Sequence, residues 1–510
     1  EPGAQPSHHS HQLRHPGRQS QADRAEVRLQ ASTALVLAAY LAGITAFGSW
    51  LGRRDRSLKG YLLASRRIPW WAVAACIVAT ETSTLTFVGV PAMAYGGSWT
   101  FLQLAFGYVL GRALVATLLV PAYFQGDLYT SYELLGLRFG RGVRTASAAI
   151  FIAYRTLADG IRLHAVALVV SVATGVPEWL PILLLGSAMI VYTEEGGVVA
   201  TIWTDVVQLA VYLAGGVACF AWLASRVPGG AWSALADAAS RGHLRIVDLS
   251  TDLNEPYTLW AGLLGGLFLS LATHGTDQYI AQRFLVAKGP RAASVGLVVS
   301  GLFVVLQFAF FLALGTLLAA HYGGRAFSRS DEVLPTFVST ELPTALEGLV
   351  LAAMVAAALS PSLNSIAATS VRDFYVPYVR PRASEATQLR LSRALTAVWG
   401  ATQMAVALLA QGVDSSLNAG LAALGYASGP TVGAFLLAVL SRRATSGGTL
   451  VGMALGLGLA LAVGPLAPLL LGRPSVAWTW NVATGALATL LVGQLASRHA
   501  VRRPATTGDQ

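Results

Sequence analysis

Residues 68–91 read Ile68-Pro-Trp-Trp-Ala-Val-Ala-Ala-Cys-Ile-Val-Ala79-Thr80-Glu81-Thr82-Ser83-Thr84-Leu85-Thr86-Phe87-Val88-Gly89-Val90-Pro91. The first half is apolar at almost every position, as a helix entering a bilayer requires. Then five of the seven positions from Thr80 to Thr86 carry a hydroxyl and one, Glu81, carries a carboxylate. Polar groups in the middle of an apolar span are costly in lipid and face a cavity or the bundle interior, the plainer alternative being interhelical hydroxyl packing with Glu81 satisfied locally. Their density, beside the helix-breaking Gly89 and Pro91, predicts an interrupted membrane helix. In transporters built from repeated bundles, such interruptions form the midplane binding site.

The rest of the chain supports a membrane setting. Of 510 residues only 12% are charged while 54% are hydrophobic, and mean hydropathy is +0.57. A soluble domain carries about 25% charged residues, and one soluble core stops growing at roughly 250–300 residues. These figures exclude an ordinary soluble enzyme and the disordered, fibrous and disulfide-framework classes. Cys76 and Cys219 both lie in apolar runs and offer neither a disulfide scaffold nor a metal knuckle. Apolar stretches predict about thirteen transmembrane helices, starting near Ser32, Pro69, Trp99, Ala146, Trp179, Val198, Thr258, Ala292, Leu342, Leu391, Ser416, Thr449 and Val476. Tyr95-Gly96-Gly97-Ser98 separates the second from the third. Of the 35 Lys+Arg, 22 fall in one alternate set of loops and 10 in the other. By the positive-inside rule this predicts an outside N-terminus and a cytoplasmic C-terminus. The net charge of +10 is then a topological label, and no nucleic-acid partner is expected.

The first thirty residues, with His8, His9, His11 and His15, are read as a solvated, disordered tail. They lack the apolar core and cleavage site of a signal peptide. Within a later span, Arg155, Asp159 and Arg162 share one helical face. They are either a structural network or part of a pocket whose net positive charge suits a carboxylate. Arg112 is read as an interface or snorkelling residue. The cluster from Tyr192 to Gln208 turns the chain and places Asp205 a turn or two into a long helix, to meet a cation or to cap backbone. No phosphate-binding loop, HExxH or Ser/His/Asp set is present, and the longest loop, 226–257, is too short for a catalytic domain. Hydrolysis and ATP-driven transport are not expected.

From Leu29 to Ser497 the chain resembles the sodium:solute symporter family, whose members include sodium-coupled transporters for sugars, sialic acid, proline and iodide. The motifs that carry the resemblance are Val78-Ala79-Thr80-Glu81-Thr82-Ser83 with Thr86-Phe87 and Pro91, and Thr130-Ser131-Tyr132-Glu133-Leu134-Leu135 with Arg138-Phe139. Others are Ile202-Trp203-Thr204-Asp205, Gly275-Thr276-Asp277-Gln278 with Gln282-Arg283, and Leu363-Asn364-Ser365 with Asp373-Phe374-Tyr375. The resemblance implies an all-α polytopic membrane protein of the leucine-transporter type, a 5+5 inverted repeat. On this chain the repeats fall at 68–226 and 257–443. A tail (1–30) and an extra helix with a basic loop (31–67) precede them, and two C-terminal helices (444–498) and a short cytoplasmic tail (499–510) follow.

The implied function is cation-coupled, sodium-driven symport of a small polar organic solute by alternating access, in a plasma membrane of bacterial inner-membrane type. The partners implied are the solute and the lipid bilayer, with no cofactor beyond the coupling ion and no obligate protein partner. By resemblance, the sodium ligands fall at Ala79, Thr82, Ala357 and Ser360, with Asp205 at a second site. Family members usually carry two adjacent hydroxyl residues before Leu-Asn-Ser. Here the Ala357–Ser362 segment is about three residues shorter and at least one hydroxyl is missing. Sodium symport, proton coupling through Glu81 or Asp205, and a non-transporting solute sensor all stay open at this point. Substrate-facing candidates are Glu81, Ser83, Thr86, Phe101, Arg155, Asp159 and Arg162. The arginine that meets the carboxylate in sialic acid transporters corresponds to Ala158, so no sialic acid substrate is assigned.

Overall fold

The computed structural model describes residues 31–52, 66–125, 128, 130–193, 198–356 and 362–502. Among them the regular elements are helical, apart from one backbone bridge between Ile68 and Ala287. Lipid leaves little alternative, because each buried N–H and C=O must be satisfied within its own segment.

The first helix is α1 (Ala31–Gly52). Then α2 (Trp70–Glu81) and α3 (Thr84–Tyr95) form one span bent by 66°. The bend lies at Thr82 (φ −73°, ψ 88°) and Ser83 (φ −101°, ψ 174°), within the hydroxyl cluster. Side chains there make bonds to other helices: Thr84 Oγ1 donates to the Met354 carbonyl (2.5 Å), and Gln307 Nε2 donates to Thr82 Oγ1 (2.8 Å). Gly89 and Pro91, expected to break the helix, lie inside α3 instead. Gly89 permits a close approach, since a Cβ there would sit 2.5 Å from Leu417 Cβ.

The first half continues with α4 (Leu102–Tyr123), α5 (Ser131–Phe139), α6 (Arg141–Thr174), α7 (Trp179–Thr193), α8 (Val198–Arg226) and the short α9 (Gly230–Ser240). The second half opens with another interrupted helix. Its first part, α10 (Ala261–Gly265, Gly266–Ser270 and Leu271–Thr276), is wound with π turns and ends at Asp277. Asp277 caps α11 (Gln278–Leu285) by accepting the Tyr279 N–H at 2.7 Å, the usual side-chain rescue of an orphan donor. Next come α12 (Pro290–Tyr322), α13 (Val333–Glu341), α14 (Thr344–Ala356), α15 (Ser362–Thr369, extended by π turns over Ser370–Val379), α16 (Glu385–Leu409) and α17 (Ser416–Leu440). The chain closes with α18 (Ser446–Val463), α19 (Ala467–Leu471) and α20 (Asn481–Arg502).

Each expected span meets a helix. The starts differ most at Ala146, Leu391 and Val476, where the helices begin at Arg141, Glu385 and Asn481. At the first two, a charged opening turn projects beyond the apolar run. Among the described residues, six helices are long and apolar enough to cross a bilayer unbroken, and the bent α2–α3 pair makes a seventh. The other spans are shorter, interrupted or more polar.

α6 runs through the centre, against α15, α16 and α17, while α12 supports α2, α3 and α4. Phe87, Tyr212 and Phe311 interlock at centroid distances of 4.9, 5.0 and 5.4 Å and tie α3 to α8 and α12. At the C-terminal end, α18 meets α20 through glycines. A Cβ on Gly456 would lie 2.3 Å from Thr489 Oγ1, and one on Gly452 would lie 2.5 Å from the Thr489 carbonyl. Small residues at four-residue spacing let membrane helices approach this closely.

Candidate functional site

The α2–α3 break faces α6, the end of α10 and α17 across a cavity of about 90 Å³. All seven expected solute-facing residues line it: Glu81, Ser83, Thr86, Phe101, Arg155, Asp159 and Arg162. Phe308, Leu417, Leu421 and Leu424 supply an apolar wall. Phe101 closes one side by packing on Phe308 (5.0 Å) and Tyr257 (5.5 Å), and Tyr257 is hydrogen-bonded to Asn418 of α17.

Ionic groups around the cavity are mostly paired. Arg112 corrects its sequence reading, for it is fully buried and neither snorkels nor lies at a surface. Its guanidinium binds Glu81, donates to Ser300 Oγ (2.9 Å) and reaches His274 Nε2 (3.0 Å). His274 Nε2 also lies 3.5 Å from the Glu81 carboxylate, and its Nδ1 is 2.8 Å from Thr273 Oγ1. On the opposite wall, Arg155 donates to Asp159 (3.0 Å) and Asp277 (3.4 Å). The Tyr279 ring stacks between Arg155 (4.3 Å) and Arg283 (3.9 Å). Arg162 differs: it is hydrogen-bonded to Tyr279, but among the described residues no carboxylate lies within ion-pairing distance of it.

For a coupling cation, α2 offers its broken end. Among the described residues no backbone N–H reaches the carbonyls of Ala79 or Thr82, whereas Thr82 N–H donates to Val78. Free carbonyls at an unwound helix are the oxygen donors a hard cation uses. Ala357 and Ser360 lie outside the described residues. Asp205 sits near but is surrounded by donors: Cys76 Sγ (3.1 Å), Thr80 Oγ1 (3.3 Å) and Arg283 (3.5 Å) all point to one carboxylate oxygen. Among the described residues no group of three or more His, Cys, Asp or Glu is placed to hold a metal ion.

Sequence reasoning missed Arg112, His274, Tyr108, Thr273 and Phe308 as cavity or near-cavity groups. His274 stands one residue before the Gly275-Thr276-Asp277 motif, and that break was the available signal. At the N-terminal end of α17, Asp331 accepts the Ser416 N–H at 2.7 Å and is buried. Burial pushes its carboxyl up to about 6, and the Ser416 bond only partly opposes this. Burial raises Glu178 too, but Arg329 at 2.6 Å outweighs it and holds that carboxyl below its ordinary range.

The Sodium:solute symporter family profile matches residues 61–456. The human sodium/iodide cotransporter is 30% identical over 84% of this chain and 69% of its own length. Human sodium-coupled monocarboxylate transporter 1 is 30% identical over 83% of this chain and 71% of its own. The solved structure of a substrate-bound, outward-open Na+-coupled sialic acid symporter superposes with a TM-score of 0.82 at 25% identity, over 94% of this chain and 99% of that one.

Proposed function

The chain belongs to the Sodium:solute symporter family, and from that premise we propose that its cargo is a small organic carboxylate with an apolar body. Membership makes it an integral membrane protein of the leucine-transporter fold and a sodium-coupled solute symporter, not an enzyme. The cargo reading rests on Arg162, the cavity guanidinium with no carboxylate of the described residues within ion-pairing distance, since Asp159, three residues before it, is engaged by Arg155. Glu81 offsets Arg112, and Asp159 with Asp277 offsets Arg155. An anion entering the cavity finds in Arg162 a charge-assisted partner. The facing leucines and phenylalanines suit a short carbon chain, and a cavity of about 90 Å³ favours few heavy atoms. The iodide and monocarboxylate named for two relatives and the sialic acid named for the third are all anions at neutral pH.

In this reading Ser83 and Thr86 hydrogen-bond the cargo, and Phe101 covers it. Glu81 and Asp159 hold the arginines in place. The Ala79 and Thr82 carbonyls receive sodium, with Ala357 and Ser360 as the remaining expected ligands. The two halves, 68–226 and 257–443, act as inverted repeats that rock about the site, with the N-terminus outside, the C-terminus in the cytoplasm and the protein in the plasma membrane.

Uptake into proteoliposomes under an inward sodium gradient tests this. Lactate or butyrate should accumulate, a neutral sugar should not, and replacing sodium by potassium should reduce uptake to background. Arg162→Met should weaken carboxylate uptake at least about thirtyfold, the equivalent of roughly 2 kcal/mol for a lost buried charge partner. Carboxylate uptake equal to the parent in Arg162→Met would sink the proposal.

A further inference from the structure

A second cavity lies away from the solute site, where Gly140 (φ 82°) turns α5 into α6 and the π-wound end of α15 folds against that turn. It measures about 330 Å³ and is lined by Glu133, Arg141, Arg144, Thr145, Arg372 and Val376, with Pro377 and Pro381 at its rim. Three guanidiniums and one carboxylate line it, and a second carboxylate, Asp373, is buried behind Arg144. Arg144 pairs with Asp373 (2.5 Å) and Glu133 (3.7 Å), and Arg372 pairs with Glu133 (3.4 Å). Arg141 is exposed and forms no ion pair among the described residues. Arg380 and Arg382, both exposed, flank Pro381 and add to the positive field. Beside this charged mouth stand Leu137, Tyr378 and Val379, exposed by 78%, 57% and 69%.

We propose that this cavity is a binding site for the phosphate-bearing headgroup of an anionic phospholipid. The guanidiniums recognise phosphate oxygens, which they bind with paired N–H donors, and the apolar lip carries the start of the acyl chains. Basic pockets between membrane helices at the positively charged end of a bundle are suited to such headgroups. A soluble phosphate would satisfy the arginines but would leave the exposed leucine, tyrosine and valine uncovered. The walls come from two sides, α5–α6 and α15, and the same α6 and α15 meet at the solute site, where Ser362 is hydrogen-bonded to Asp159. A lipid bridging Arg141 to Arg372 thus holds together two helices whose separation sets the shape of the solute cavity.

The full-length protein in nanodiscs tests this by thermal unfolding and by counting co-purified lipid. Phosphatidylglycerol or cardiolipin mixed into phosphatidylcholine should raise the melting temperature and remain bound through dilution. Inorganic phosphate and glycerol phosphate added to phosphatidylcholine discs should do neither. Arg141→Gln, which breaks no ion pair among the described residues, should melt like the parent in phosphatidylcholine yet bind the anionic lipid about fivefold more weakly. Adding Arg372→Gln should deepen that loss. An unchanged lipid response in both variants, or an equal response to soluble phosphate, would overturn the assignment.

Discussion

Arg112 and Glu81 are each affordable in this bilayer-spanning core because of the other. Taking a charge out of water costs several kcal/mol, and breaking a buried pair by removing one partner costs about 3–5 kcal/mol because the survivor is stranded. Arg112→Gln alone should therefore lower thermal stability sharply. Joining it to Glu81→Gln should recover most of the loss, and additive single effects in that cycle would show that the two side chains are not coupled. Glu81 was legible in the sequence because a carboxylate among five hydroxyls in an apolar run is a local signal. The role of Arg112 was not, since Glu81 is 31 residues away and His274 is 162 away. A lone arginine in a span reads equally as snorkelling. Asp205 shows the same limit: the sequence gives its depth, and only the fold brings Arg283 and Cys76 to it.

At the scale of the element, the contact between α3 and α17 lies on the leucine-lined side of the cavity. Gly89 and Leu417 touch so closely that a methyl on Gly89 cannot coexist with the leucine in its present place. Overpacking of this kind costs about 1–3 kcal/mol. Gly89→Ala should slow sodium-driven uptake severalfold, and Leu417→Gly in the same chain, which removes the opposing Cβ, should restore it. No recovery in the pair would place the defect elsewhere. The interrupted span was readable as such, but its break was read in part from Gly89 and Pro91. Proline and glycine are the usual breakers, yet here hydroxyl side chains reach across to Met354 and Gln307, while Pro91 stays within its helix and Gly315 of α12 packs on its carbonyl. Interhelical hydroxyl bonding was the plainer alternative in the sequence, but which distant helices supply the partners a linear reading cannot tell. Arg155, Asp159 and Arg162 were legible as a unit because α6 is regular and helical spacing alone puts them on one face.

Across the whole molecule, pH should reach stability through the segment joining α12 to α13. The Asp331 carboxyl titrates near 6 in the folded protein against roughly 3.9 in an unfolded chain. The folded state therefore binds more protons between these values, and stability falls as pH rises through them. The contribution is complete below about pH 4 and lost above about pH 6. Asp331→Asn keeps an acceptor for the Ser416 N–H and removes the titration. Its melting temperature should gain on the parent as pH climbs from 4 to 7, and parallel profiles would assign the dependence to another group.

The glycine seam between α18 and α20 bears on how such a molecule moves. Where two helices touch through backbone, the joint holds few side-chain rotamers to exchange and no soft volume to compress. Such a joint has one register, with the next a full turn away, and it either holds or parts. Motion in the rest of the bundle finds no compliance there. The last two long helices behave as a single stiff beam, a fixed reference against which the interrupted spans can swing.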